Sequence, residues 1–209
     1  AVIHDPVTTT DELIPSGETS SYRSNPIGLS EFALSRRVPE YVGRSKAVRA
    51  LEEAREAGDV PAEVKEVLAK VGGDAAHTTI GSCVFANKPG DGSAREQAAS
   101  CQKVLGGFAN VCYEYATKRY RSNCINWGIV PFTMDKALAF DYEDGDWLYI
   151  PGIRKAILDG QEEFTAKVIT KDGQVKELPL QCKGLTADEK LIVTEGCLMN
   201  YYAAGYGKA

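Results

Sequence analysis

Between Ser45 and Val71 apolar residues recur every three or four positions: Val48, Leu51 and Ala54, then Val64, Val67, Leu68 and Val71. That stripe is the pattern of an amphipathic helix. Gly58 and Pro61 interrupt it, so two helices are predicted. From His77 the pattern changes. His77–Phe85 is apolar and β-prone, Ala86–Gly92 reads as a loop around Pro89, and Ser93–Leu105 reads as a helix. Phe108–Tyr113 predicts a strand, Ala116–Trp127 a helix, and Ile129–Thr133 a further strand after Gly128. Strand–helix–strand–helix–strand at this spacing implies parallel strands joined by right-handed crossovers.

The last third reads differently. Trp147–Ile150 is a predicted strand and Ile153–Leu158 a helical turn. Phe164–Thr170 and Val175–Leu180 flank Lys171-Asp172-Gly173, a hairpin signal. Thr186 and Glu189 have the spacing of a capping box ahead of a last helix. Residues 1–45 are rich in Thr, Ser, Pro and Gly, and Thr8–Pro15 reads as loop. The fold class expected is α/β, a mostly parallel central sheet flanked by helices, with a C-terminal β-hairpin and helix.

A chain of 209 residues suits one domain, and its 44 % hydrophobic and 25 % charged residues are ordinary for a globular one. The net charge of −5 and the lack of a basic stripe argue against nucleic acid as a partner. No apolar run approaches the ~20 residues that span a bilayer, so no membrane is expected. Nor is a signal peptide visible. The chain starts at Ala1 without a Met, which suggests a piece of something longer. Six cysteines occur without any C-x-x-C pair. They read as reduced core thiols of a cytoplasmic protein, and their spacing predicts no metal ligand on this chain. His4 and His77 lie far apart and read as incidental.

One run carries more chemistry than the rest: Gly90-Asp91-Gly92-Ser93-Ala94-Arg95-Glu96-Gln97-Ala98-Ala99. Glycines let the backbone approach a ligand closely. The first amides of a helix point outward with the positive end of its dipole behind them, and an arginine fork can grip a carboxylate with two bonds. Ser93 and Glu96 also have capping-box spacing, so the pair could serve only to start a helix. Both readings stay open on the residues alone. A second run, Arg121 to Pro131, contains Asn123 and reads on its own as a helix C-terminus, with Gly128 as the residue that ends it.

Together and in this order, the two runs resemble the aconitase family, in particular its C-terminal swivelling domain. The family pattern is roughly G-x-G-S-S-R-E-x-A-A, then a strand and helix, then x-x-x-N-x-x-x-x-G-[IL]-x-P. It stands here as Gly90–Ala99 and Asn123–Pro131. Thr9-Thr10-Asp11 is similar to the family's T-T-D-H-I, and the closing hairpin and helix keep the family's order. The resemblance makes residues 1–209 one swivel domain: an irregular segment 1–45, a loosely matching helical insertion 46–71 and a core 77–209.

The resemblance implies a hydro-lyase, which removes and re-adds water on a small polycarboxylate. It implies a [4Fe-4S] cluster held by other domains or by a large subunit, with the swivel domain closing over it. It gives Ser93 the role of catalytic base, and Arg95 and Ala94 substrate-binding positions. A second substrate-binding arginine lies upstream in the family: Arg44 is the best match, with Arg36 and Arg37 as rivals. Asp11, Gly92 and Asn123 take supporting roles. Three departures stand out: Ala94 replaces the second serine, Glu12 the histidine after T-T-D, and the loop Asn87-Lys88-Pro89 looks longer than is common. The alternatives are a free-standing small subunit of an isopropylmalate isomerase-type dehydratase and a non-catalytic aconitase relative.

Overall fold

The computed structural model describes residues 1–207. The first strands and helices are β1 (Val2–Ile3), β2 (Thr8–Thr9), α1 (Thr10–Leu13), α2 (Pro26–Ser30), α3 (Tyr41–Glu56) and α4 (Ala62–Val71). The helical stripe read from the sequence is therefore two helices, and Gly72 ends the second at φ +69°. The central elements are β3 (Ser82–Ala86), β4 (Pro89–Asp91), α5 (Arg95–Val104), β5 (Gly107–Cys112), α6 (Lys118–Asn126) and β6 (Val130–Thr133). The chain closes with β7 (Trp147–Tyr149), α7 (Ile153–Leu158), β8 (Glu163–Ile169), β9 (Val175–Gln181), α8 (Ala187–Glu195) and α9 (Leu198–Ala203).

Seven strands form one sheet in the order β1-β3-β5-β6-β9-β8-β7. β1, β3, β5 and β6 pair in parallel. β9, β8 and β7 are added antiparallel, so five of the seven strands run the same way. The two halves meet at a single pairing, Thr133 with Gln181. Along β3 the side chains alternate between faces, as the pleat requires. Val84 and Ala86 enter a core with Leu13, Leu34, Ala98 and Cys124. Phe85 enters the other, with Phe132, Phe140, Val168 and Ile192.

Four expectations change. Thr8–Pro15 is not loop. Thr8 and Thr9 pair in parallel with β4, and Thr9 caps α1 in a true capping box with Glu12. A two-residue strand has no period to read, and its partner lies far along the sequence. For the same reason part of the loop expected at Ala86–Gly92 is β4. The helix expected from Ser93 begins at Arg95, and the strand expected from His77 begins at Ser82 after one 3-10 turn, Ala75–His77.

Gly128 does end α6 as its sequence context implied. The Ile129 amide donates to the Cys124 carbonyl at 2.8 Å and the Gly128 amide to that of Ile125 at 2.8 Å. These bonds form a Schellman ending, with Gly128 at φ +66°. The Thr186–Glu189 capping box forms at the start of α8.

Candidate functional site

Ser93 lies between β4 and α5, in the turn that carries the chain from the small β2–β4 pair into the helix. Two close approaches fix this turn. A Cβ on Gly90, whose φ is +96°, would lie 2.3 Å from the Tyr120 ring. One on Gly92, at φ +133°, would lie 2.1 Å from Thr10 Oγ1. Only glycine fits at either place. The second contact brings Thr10, and with it the neighbouring Asp11, against the segment that precedes Ser93.

The capping reading of Ser93 is not what the structure shows. The N-cap of α5 is Ala94, which has no capping side chain, and Ser93 is exposed with its hydroxyl unbonded among the described residues. Glu96 turns outward to accept from Trp127 Nε1 at 2.9 Å. The first amides of α5 are thus left without a side-chain acceptor, at the positive end of the helix dipole. Arg95 is the first helical residue, half-buried, and its Nε is buried with no hydrogen-bond partner. No carboxylate pairs with it among the described residues, although sixteen ion pairs form elsewhere. An exposed hydroxyl, free helix amides and an uncommitted guanidinium on consecutive residues suit a small carboxylate-bearing anion.

Around this group the other candidates divide. Asp11 is paired by Arg36, which also reaches Glu18. Arg37 bonds Glu12 Oε1 and Asp5 Oδ1, each at 2.7 Å. Arg44 lies elsewhere, 3.0 Å from Asp144, a residue that also accepts from the Val2 amide at 2.8 Å. The structure therefore brings Arg36 to Asp11 and leaves Arg44 beside the start of β1. Asn123 is half-buried on α6, one turn before Trp127, and its side chain makes no hydrogen bond among the described residues. Ala94 packs partly against the apolar cluster of Leu13 and Ala98.

Glu12 stands where the family motif has histidine, and its carboxylate is taken up by the Thr9 amide and hydroxyl and by Arg37. Burial pushes the Glu12 carboxyl up, but bonds from the Thr9 amide, the Thr9 hydroxyl and Arg37 outweigh it and hold the group below the usual range. Thr10 and Trp127 went unnoticed in the sequence. Thr10 sits inside the T-T-D run, so the motif could have pointed to it. Trp127 meets Glu96 across 31 positions, a contact that no local spacing announces.

The chain's own residues do not fit an iron–sulfur cluster. Among the described residues no group of three or more His, Cys, Asp or Glu could hold a metal ion. Four cysteines are buried, Cys101, Cys112, Cys124 and Cys182, and Cys83 and Cys197 are half-buried. Burial pushes the thiols of Cys101 and Cys124 up to about 12 and those of Cys83 and Cys182 to about 11, the opposite of what a thiolate ligand needs.

No family model matches the chain. Over 119 residues it is 27 % identical to aconitate hydratase A of Bradyrhizobium diazoefficiens, a match covering 54 % of this chain. It spans only 12 % of that protein's length. The fold is that of a 3-isopropylmalate dehydratase chain from Methanocaldococcus jannaschii, with a TM-score of 0.56 at 18 % identity. That likeness covers 97 % of this chain and 91 % of the other. The sequence similarity over part of the chain is thus to an aconitate hydratase, and the fold over nearly all of it is shared with a dehydratase chain. No helix among the described residues is long and apolar enough to cross a membrane.

Proposed function

We propose that this chain is the swivelling domain of an aconitase-like hydro-lyase acting on a hydroxy-polycarboxylate. The observation that carries the reading is the arrangement at the start of α5: an exposed, uncommitted Ser93 hydroxyl beside free helix amides and an unpartnered Arg95. Removing a proton from a carbon next to a carboxylate needs a positioned base. A neutral hydroxyl is too weak, but an alkoxide at Ser93 is stabilised by the first-turn amides, the helix dipole and the guanidinium. Arg95 holds the substrate carboxylate onto which charge spreads as the proton leaves. Ala94 offers no hydroxyl to the substrate, so at this position shape and backbone amides alone select it. Arg36, not Arg44, takes the upstream arginine's role, because it is the one at Asp11.

The cluster implied by the resemblance finds no ligand set among the described residues and belongs to cluster-bearing domains or a large subunit. Six free thiols suit a reducing compartment such as the cytoplasm. A second reading, a free-standing small subunit with a separate large partner, is favoured by the fold match running nearly end to end. The mass of the native protein separates the two.

The test of the main reading is Ser93→Ala in the complete enzyme. Loss of a general base lowers kcat by about 10²–10⁴-fold. Thermal stability stays unchanged, because Ser93 is exposed and caps nothing. A variant that turns over at nearly the parental rate overturns Ser93 as the base.

A further inference from the structure

The loop ahead of Ser93 was singled out in the sequence as Asn87-Lys88-Pro89, and its first residue joins three segments. The Asn87 side-chain amide donates to the His4 carbonyl at 2.7 Å and to that of Asp5 at 3.2 Å. The Asn87 carbonyl accepts from the Tyr113 amide at 3.2 Å and the Glu114 amide at 3.4 Å. One side lies on the path to Thr8–Asp11, the other on the path to α6.

We propose that Asn87 is the positioning residue of the site, setting the register that brings Thr10 and Asp11 against the Gly92–Ser93 turn; the proposal rests on the reading of Ser93 above. The need for such a residue is physical. β2 has two residues, and so short a pair is too weak to fix its own register. Its register also breaks: Thr8 pairs with Pro89 but Thr9 with Asp91, so Gly90 is skipped. A slip by one position turns side chains to the opposite face, taking Thr10 off Gly92. Asn87 sits just ahead of the break, and its two amide hydrogens hold two successive carbonyls. No other residue type of that size offers two donors on one planar group.

Asn87→Asp keeps the shape and removes the donors at neutral pH, setting a negative charge against two carbonyls. In the complete enzyme kcat should fall about 100-fold, the cost of roughly 1 Å of misplacement, with KM changed far less. As the pH falls towards the ordinary aspartate value of about 3.9 the protonated carboxyl regains one donor. The ratio of variant to parental kcat should therefore rise for Asn87→Asp and stay flat for Asn87→Ala. Amides of residues 8–12 and 88–94 should exchange at least about tenfold faster in both variants. Thr186→Ala, which removes a cap at α8, is the control for general destabilisation and should leave kcat alone. Parental kcat in both Asn87 variants overturns the proposal, as does a similar loss in Thr186→Ala. If Ser93→Ala itself stays active, the Ser93 reading fails, and exchange alone decides: parental protection of both segments overturns Asn87's role, and faster exchange upholds it.

Discussion

Gly92 offers the sharpest test of how the site is built. Replacing it by alanine does two separable things. It forces a side-chain-bearing residue to hold φ +133°, a conformation open in practice only to glycine. That costs about 1–3 kcal/mol. It also drives a methyl group to within 2.1 Å of Thr10 Oγ1, with Thr10 Cβ at 3.3 Å. Thr10 is 3 % exposed, so its hydroxyl has little room to move, and overpacking of this sort costs about 1–3 kcal/mol more. Gly92→Ala should then destabilise the chain by about 2–6 kcal/mol. Thr10→Ala deletes the oxygen at 2.1 Å and leaves Cβ at 3.3 Å, which a shift of a few tenths of an ångström relieves, and the backbone nitrogen at an ordinary 3.5 Å. In a double-mutant cycle the steric part should return and the backbone part should not. The double variant should be more stable than the summed singles imply by about 1–2 kcal/mol, within the range of coupling for touching residues. Urea unfolding of the 209-residue chain, followed by tryptophan fluorescence, measures this. Energies that add to within about 0.5 kcal/mol would show that Thr10 does not seat on Gly92, and the link from T-T-D to Ser93 would fail with it.

Two further predictions concern charges. Arg36→Ala in the complete enzyme should raise KM or depress kcat, while Arg44→Ala should leave both near parental; the reverse pattern, read from steady-state kinetics, would restore Arg44 to the site. Hydrogen bonds from Lys136 and Lys88, together with their charges, hold the Glu114 carboxyl at about 2, below its ordinary 4.5. A depressed carboxylate supports the fold fully above its unfolded value and loses that support as pH falls through roughly 4.5 towards 2. Glu114 is exposed and its pairs are screened, so the effect is small, largest at low salt. Glu114→Gln should flatten the acid limb of the urea midpoint against pH, and an unaltered limb would rule the triad out as a contributor.

The legible parts of the fold were those whose signal is local. The stripe from Val48 to Val71, the Lys171-Asp172-Gly173 turn and the Thr186–Glu189 box each carry their instruction within a few residues, and each formed. Ser93 and Glu96 carry an equally good box by spacing, yet none forms, because Trp127 takes the Glu96 carboxylate and the helix starts two residues late. The real box at Thr9 and Glu12 went unread within a polar stretch that has no period. The Ser93–Arg95 group was legible because glycines, hydroxyl and guanidinium are consecutive. The choice among Arg36, Arg37 and Arg44 was not, since all three are surface arginines and only the path of the chain decides which carboxylate each meets.

The two halves of the sheet, stitched at Thr133 and Gln181, differ in how far the chain must travel to make them. β8 and β9 close across one short turn. β1 must wait for β3, because Val2 pairs with Phe85 and Ile3 with Ala86, far along the chain. Loop closure is entropically cheap for the first and dear for the second, so the C-terminal meander can assemble early while the N-terminal edge docks late. That late edge leads directly into Thr10 and Asp11. The order of assembly this topology predicts completes the scaffold before the Ser93 corner, so a chain caught midway would hold a finished sheet half with its Ser93 turn still unbraced.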